Sequence, residues 1–202
     1  GSAPNIAFGR LTPDNVTGNS VTQWHGGNNL YFWDRAYEYI LRINTFLEKM
    51  EEITITLDNK DVLVAEARFL RGWIYFNMIE RFGDVPLVTE TYELGSDHTF
   101  TSTPFDQVVA FIETEFAAIM PTLPKYYSSA DSNFGRPTQA ICQAILSRMH
   151  LYAASPLFNP NNDKAKWEKA YKSSKTFIDT YTEYALYNNY EAMFSEPSGT
   201  AN

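Results

Sequence analysis

The amino-acid sequence predicts an all-α protein built from tetratricopeptide-like antiparallel helix pairs joined by long loops. Three observations carry this expectation. Ala65, Phe69, Gly72, Phe76 and Ile79 recur at spacings of four, three, four and three, which places them on one stripe of a 3.6-residue helix. Ala67, Leu70, Ile74 and Met78 widen that stripe, as in a helix packed between neighbours. Proline and glycine then divide the chain into five such stretches. Finally, Ala67, Arg71 and Tyr75 recur 77 residues later as Ala144, Arg148 and Tyr152, with Leu146 and Leu151 at the places of Phe69 and Ile74. Small, apolar and aromatic residues at these spacings are what stacked helix pairs of the tetratricopeptide type use.

The elements follow in order. Residues 1–29 carry Pro4, Gly9, Pro13, Gly18, Gly26, Gly27, Asn28 and Asn29, a composition of loop and turns. From Leu30 to about Glu52 the pattern is helical, with Trp33, Tyr37, Ile40, Leu41, Ile43, Asn44 and Leu47 sharing a face. Asp58 is placed to cap a second helix over 59–82, which Gly83 closes and Pro86 prevents from resuming. Residues 83–103 read as extended and looped. Thr103 fits the N-cap of a third helix running to Met120 and stopped by Pro121 and Pro124. After a loop over 125–135, Arg136-Pro137-Thr138 opens a fourth helix that Ser155-Pro156 ends. Asp163 caps a fifth, over about 164–181, whose buried side is expected to hold Trp167, Ala170, Tyr171, Ser174, Phe177 and Ile178. The expected organisation is an N-terminal loop region, 1–29, packed on one helical-repeat domain, 30–202.

With 202 residues, 44% hydrophobic and 20% charged, the chain is long and apolar enough to bury a substantial core. The net charge of −8 and the lack of a Lys/Arg cluster argue against nucleic acid as a partner. Cys142 is the single cysteine, so neither an intrachain disulfide nor a Cys-based zinc site is available. Within its helical pattern it reads as a small buried hydrophobe. The run Gly1-Ser2 has the look of an appended N-terminus, so the lack of a secretion signal carries no information.

Enzyme chemistry finds little to stand on. His25, His98 and His150 are isolated, no Gly-x-Ser-x-Gly elbow occurs, and Gly26-Gly27-Asn28-Asn29 lacks the spacing and lysine of a phosphate loop. The acids Glu48, Glu51, Glu52, Glu113 and Glu115 fall where solvated helix faces are expected. No catalytic residue, metal site or cofactor is therefore assigned. What stands out is Trp24 beside Asn28 and Asn29. An aromatic face covers the apolar C–H surface of a sugar while a carboxamide supplies both donor and acceptor to its hydroxyls. The other reading is that Trp24 plugs the loop onto the helices and the asparagines make turns.

Several separated stretches, in order, resemble the SusD/RagB family of bacterial outer-membrane nutrient-binding lipoproteins. Trp33–Tyr37 through Arg42–Glu48 is similar to the family's first repeat helix, and Ala65–Phe76 with Gly83–Pro86 to its signature helix and stop. Thr103–Glu113, Leu123-Pro124, Gly135–Thr138, Ala144–Pro156, Trp167–Ala170 and Tyr184–Tyr187 continue the likeness over about residues 30–195. The resemblance implies a noncatalytic glycan-binding component of a SusC/SusD-type uptake system. It would be lipid-anchored at the extracellular face of a Bacteroidetes-type outer membrane, capturing oligosaccharide and delivering it to a TonB-dependent SusC-like transporter. The nearest counterparts of the family's ligand residues are Trp24, Asn28 and Asn29. Two departures go with it: Cys142 lies mid-helix and is not the lipidated cysteine, and family members are about twice as long. A helical-repeat scaffold for protein contacts, without a ligand site of its own, is the competing expectation.

Overall fold

A computed structural model describes residues 32–54, 58–92 and 99–186, together with 189 and 191. Trp24, Asn28, Asn29 and the rest of the 1–29 loop region lie outside the described residues. The described residues form five helices: α1 (Trp33–Glu52), α2 (Lys60–Phe82), α3 (Phe105–Ile119), α4 (Gln139–Ala154) and α5 (Lys164–Thr180). Among the described residues there is no strand, only an isolated antiparallel bridge between Val85 and Thr103. The all-α, tetratricopeptide-like expectation is met. The chain forms two compact units, one reaching Pro124 and the other starting at Lys125.

In the first unit α2 packs on both α1 and α3. The whole predicted stripe is buried, with Tyr75, Phe76, Met78 and Ile79 at 0–1% exposure. Leu70, which the pattern placed beside that stripe, is instead exposed, because α1 and α3 cover the opposite side of α2. Phe116 of α3 stacks on Phe69 with centroids 5.5 Å apart and an interplanar angle of 15°. A Cβ built at Gly72 would lie 2.5 Å from Phe116 Cε1, so this glycine makes room for an aromatic ring rather than for another backbone. Gly83 closes α2 at φ 71°, and its N–H donates to Ile79 O at 3.1 Å.

Helix starts differ from expectation in two places. Asn59, not Asp58, occupies the N-cap of α2, and no side chain caps that end. Pro104 holds the corresponding position of α3, because Thr103 is drawn into the bridge, exchanging backbone hydrogen bonds with Val85 at 3.0 and 3.2 Å. The orphan N–H of Phe105 donates instead to Asp84 Oδ1 at 2.8 Å. The residue that follows the α2 stop thus caps α3 from 21 positions away.

In the second unit α4 and α5 pack together. Thr138 and Asp163 cap them as anticipated, accepting from Ile141 N at 3.3 Å and Ala165 N at 2.9 Å. Gln143 Nε2 donates to Ser173 O at 2.8 Å, and the Ser147 and Ser174 hydroxyls meet at 2.7 Å. Cys142 is fully buried, and burial pushes its thiol up to about 12. The buried side of α5 is narrower than anticipated: Ala170 and Ser173 are buried, whereas Trp167, Tyr171 and Ile178 are exposed. A single neighbouring helix covers only part of a stripe that wide. The 77-residue echo is likewise one of sequence and not of burial, since Arg71 is buried and Arg148 and Ala144 are exposed.

Candidate functional site

Residues 83–92 leave α2 and run along α1, and residues 99–104 lead into α3. The two segments meet at the Val85–Thr103 bridge and at an edge-to-face pair of Tyr92 and Phe100, centroids 5.5 Å apart. Between them and the first turns of α1 lies a cavity of about 350 Å³. Trp33, Tyr37, Ile40 and Leu41 form its α1 side; Pro86, Val88, Tyr92 and Phe100 form the other. Trp33 is held between Tyr37 and Phe82, its ring 5.2 and 5.1 Å from theirs. Two aromatic pairs therefore face the space from different segments of chain.

The wall at 85–90 is anchored from behind. Tyr37 Oη donates to Pro86 O at 2.8 Å, and burial raises the Tyr37 hydroxyl well above its ordinary value. Tyr75 Oη donates to Val88 O at 2.9 Å and accepts from Val88 N at 2.7 Å. Burial pushes the Tyr75 hydroxyl up to about 12, against the hydrogen bond from Val88 and the nearby Arg71 charge. Asn44 Nδ2 of α1 donates to the carbonyls of Val88 and Glu90 at 3.2 and 3.0 Å.

Beneath that wall sits an ion cluster. Glu115 of α3 accepts from Arg68 Nε and Nη2 at 3.2 and 2.8 Å and from Arg71 Nη2 at 2.8 Å. Arg71 Nη1 reaches Asn44 Oδ1 at 2.9 Å and Thr89 O at 3.2 Å, and its guanidinium lies 5.5 Å from the Phe111 ring centroid. Glu115 is 6% exposed, so the solvated face expected for it is overturned; a bidentate arginine partner makes its burial tolerable. Burial alone would raise its carboxyl, but hydrogen bonds from Arg68 and Arg71 outweigh that and hold it below the usual carboxylate range. The cluster floors a polar groove of about 820 Å³ rimmed by Glu48, Glu51, Lys60 and Asp61. Its charges answer one another, and its work is to tie α1, α2, α3 and the 85–90 wall together.

Sequence reasoning singled out Trp33 and Tyr37 only as packing residues and passed over Tyr92 and Phe100. Their signal was faint: two aromatics in an otherwise polar loop. Trp24, Asn28 and Asn29 fall outside the described residues. Among the described residues no group of three or more His, Cys, Asp or Glu side chains is placed to hold a metal ion. No described helix is long and apolar enough to cross a membrane.

Comparison with known proteins assigns this helical array to a family. Residues 8–151 match the SusD-like family model described as starch-binding, associating with the outer membrane. The chain belongs to the SusD-like family. It is 25% identical over 123 residues to the SusD-like protein P2 of Formosa agariphila, spanning 59% of this chain and 23% of that protein. Among solved structures it is similar to surface glycan-binding protein A from Bacteroides uniformis, with 29% identity and a TM-score of 0.63 over 84% of this chain and 38% of the other. A laminarin-binding SusD-like protein shares the fold, with a TM-score of 0.65 at 24% identity over 80% of this chain and 33% of its own. The chain thus spans about a third of the length of the solved relatives. The expectation that it is not an enzyme is in keeping with a family model described by starch binding.

Proposed function

We propose that this chain is the helical-repeat portion of a glycan-capturing component of an outer-membrane uptake system. In this reading it takes up oligosaccharide at the cell surface and passes it to a SusC-like TonB-dependent transporter. The observation that carries the reading is the cavity walled by Trp33, Tyr37, Tyr92 and Phe100 at the entrance to α1. In the sequence Asn29 precedes the wall residue Trp33 by four positions. Trp24, Asn28 and Asn29 would supply stacking and hydroxyl-directed hydrogen bonds at the rim. Family membership and a glycan-binding relative support the same assignment.

Isothermal titration calorimetry of the whole chain against a panel of oligosaccharides tests it. We expect heats of binding for at least one glycan, weakened about tenfold or more by Trp33→Ala and by Trp24→Ala, as when a stacking ring is removed. Binding unchanged in Trp24→Ala would remove that residue from the site; no heat with any glycan would remove the function.

A protein-contact role is favoured by a separate observation. Leu151, Ile178 and Leu186 in the second unit are 55%, 70% and 94% exposed, a set of large apolar side chains that suits a partner surface. The two roles coexist readily in a protein that hands its ligand to a transporter, and co-purification with that transporter is the corresponding test.

A further inference from the structure

We infer that α5 pairs, antiparallel, with α5 of a second copy of this chain, forming a weak two-fold dimer. The ground for it is the pattern on the side of α5 that α4 leaves open. α4 covers the side that holds Ala170 and Ser173. Trp167, Tyr171 and Ile178, at spacings of four and seven, share a different stripe and are 41%, 64% and 70% exposed. The Trp167 indole is held in one orientation, because its Nε1 donates to Asn162 Oδ1 at 2.9 Å. Aromatic rings of this kind are the side chains that anchor protein contacts.

The charges beside that stripe say what covers it. Lys164, Glu168, Lys175 and Asp179, all exposed, lie on one flank at spacings of four, seven and four. Read from the other end, the spacings are the same and every sign is reversed. An antiparallel copy therefore sets Lys164 against Asp179 and Glu168 against Lys175, each twice by symmetry. A parallel copy in register sets like against like. A two-fold axis normal to the helix pair keeps this flank on the same side in both copies, so the charges meet across the seam. In that register Tyr171 lies opposite its own counterpart. Trp167 comes within about 3 Å, two residues of rise, of the level of Ile178 in the second copy. Along one helix Glu168 already pairs with Lys172 at 2.6 Å and Lys175 with Asp179 at 2.8 Å, and a second copy extends both pairs into a network. Exposed ion pairs contribute little singly, so the apolar stripe supplies most of the attraction and the charges select its direction. Alternating signs fit a second copy better than a lipid surface, which rewards one sign alone. Three large side chains a copy fall short of the about 1,200 Å² that stable interfaces bury, so the association depends on concentration.

Sedimentation velocity of the whole chain over a wide range of concentration, at low and high salt, tests this. The mean mass should climb from one chain toward two, and less readily at high salt. Tyr171→Lys, at an exposed residue, should weaken association about tenfold or more while the unfolding midpoint stays put. Glu168→Lys and Lys175→Glu should each weaken it about tenfold, since each reversal acts at two symmetric places. An equimolar mixture of those two variants should restore association, as should the double variant Glu168→Lys/Lys175→Glu. Such rescue is not produced by a change in the folding of the monomer. Ile178 is shared with the protein contact proposed above, so the variants act at other residues and the chain is measured without a transporter. A single-chain mass at every concentration would overturn the inference and leave the face to another partner. Association untouched by Tyr171→Lys overturns it by placing the contact elsewhere. Charge reversals without effect, or reversals that the mixture does not rescue, overturn the antiparallel pairing.

Discussion

Glu115 carries one negative charge between two guanidinium groups, at a place where water has almost no access. Arg71, 7% exposed, depends on it, because a buried cation that loses its counter-ion keeps the desolvation cost and forfeits the attraction. Glu115→Gln is therefore expected to lower stability by about 3–5 kcal/mol in urea unfolding, the range for breaking a buried pair. The pH dependence has a definite sign. The folded carboxyl is held below its unfolded value of about 4.3, so the ionised group stabilises the fold above that pH. This stabilisation is lost as pH falls through the folded value. The unfolding midpoint should drop between about pH 5 and pH 3, and more shallowly in Glu115→Gln than in the parent. Nothing in the sequence marks Glu115 apart from Glu113 two residues earlier. A heptad reading distinguishes faces, but only the seating of α3 on α2 decides which acid meets Arg68 and Arg71.

Helix α2 is the element whose properties were most legible in sequence, and for a physical reason. It is flanked by two other helices, so its burial follows its own periodicity, and Gly83 at φ 71° is the stop its pattern requires. The role of Gly72 was legible only in part: closeness of approach was evident, the approaching ring of Phe116 was not. Gly72→Ala gains about 1 kcal/mol of helix propensity and meets an overpacking cost of about 1–3 kcal/mol, for a net loss of up to about 2 kcal/mol. Calorimetric melting of the single variant, and of the double variant with Phe116→Leu, checks this. The second change should recover part of the loss if the ring is the obstacle. For α3 the expectation of a local Thr103 cap failed because a long-range bridge claimed that residue. Asp84→Ala should cost about 1 kcal/mol and speed amide exchange in the first turn of α3, leaving the ends of α2 unaffected. Helix α5 shows the opposite limit. Its apolar stripe is visible in sequence, but periodicity says nothing about whether a neighbour arrives to cover it.

At the scale of the whole molecule, the ordered set of motifs carried the family, since each piece reflects a packing or capping demand of the same helical array. The cavity was not readable in that way. Its α1 side and its loop side lie some fifty residues apart, and their meeting depends on Tyr75 and Asn44 holding the 85–90 wall against α1. The exposed residues of the second unit allow a test that separates contact from folding. Leu151→Lys combined with Ile178→Lys changes only exposed positions, so stability should move by no more than about 0.5 kcal/mol for each. If the protein-contact role is correct, co-purification with the transporter should be lost while glycan heats persist. Unchanged co-purification would exclude Leu151 and Ile178 from the contact.

The double hydrogen bond between the Tyr75 hydroxyl and Val88 has a consequence for genetics. One face of Val88 lines the cavity while its backbone is gripped from the α2 side, and the same segment is held through Asn44 to Arg71 and Glu115. A screen for variants blind to ligand would collect lesions at Arg71, Tyr75 or Asn44 together with lesions at the exposed wall residues Tyr92 and Phe100. The two classes would share a phenotype and part only on heating, where the first group melts early and the second does not.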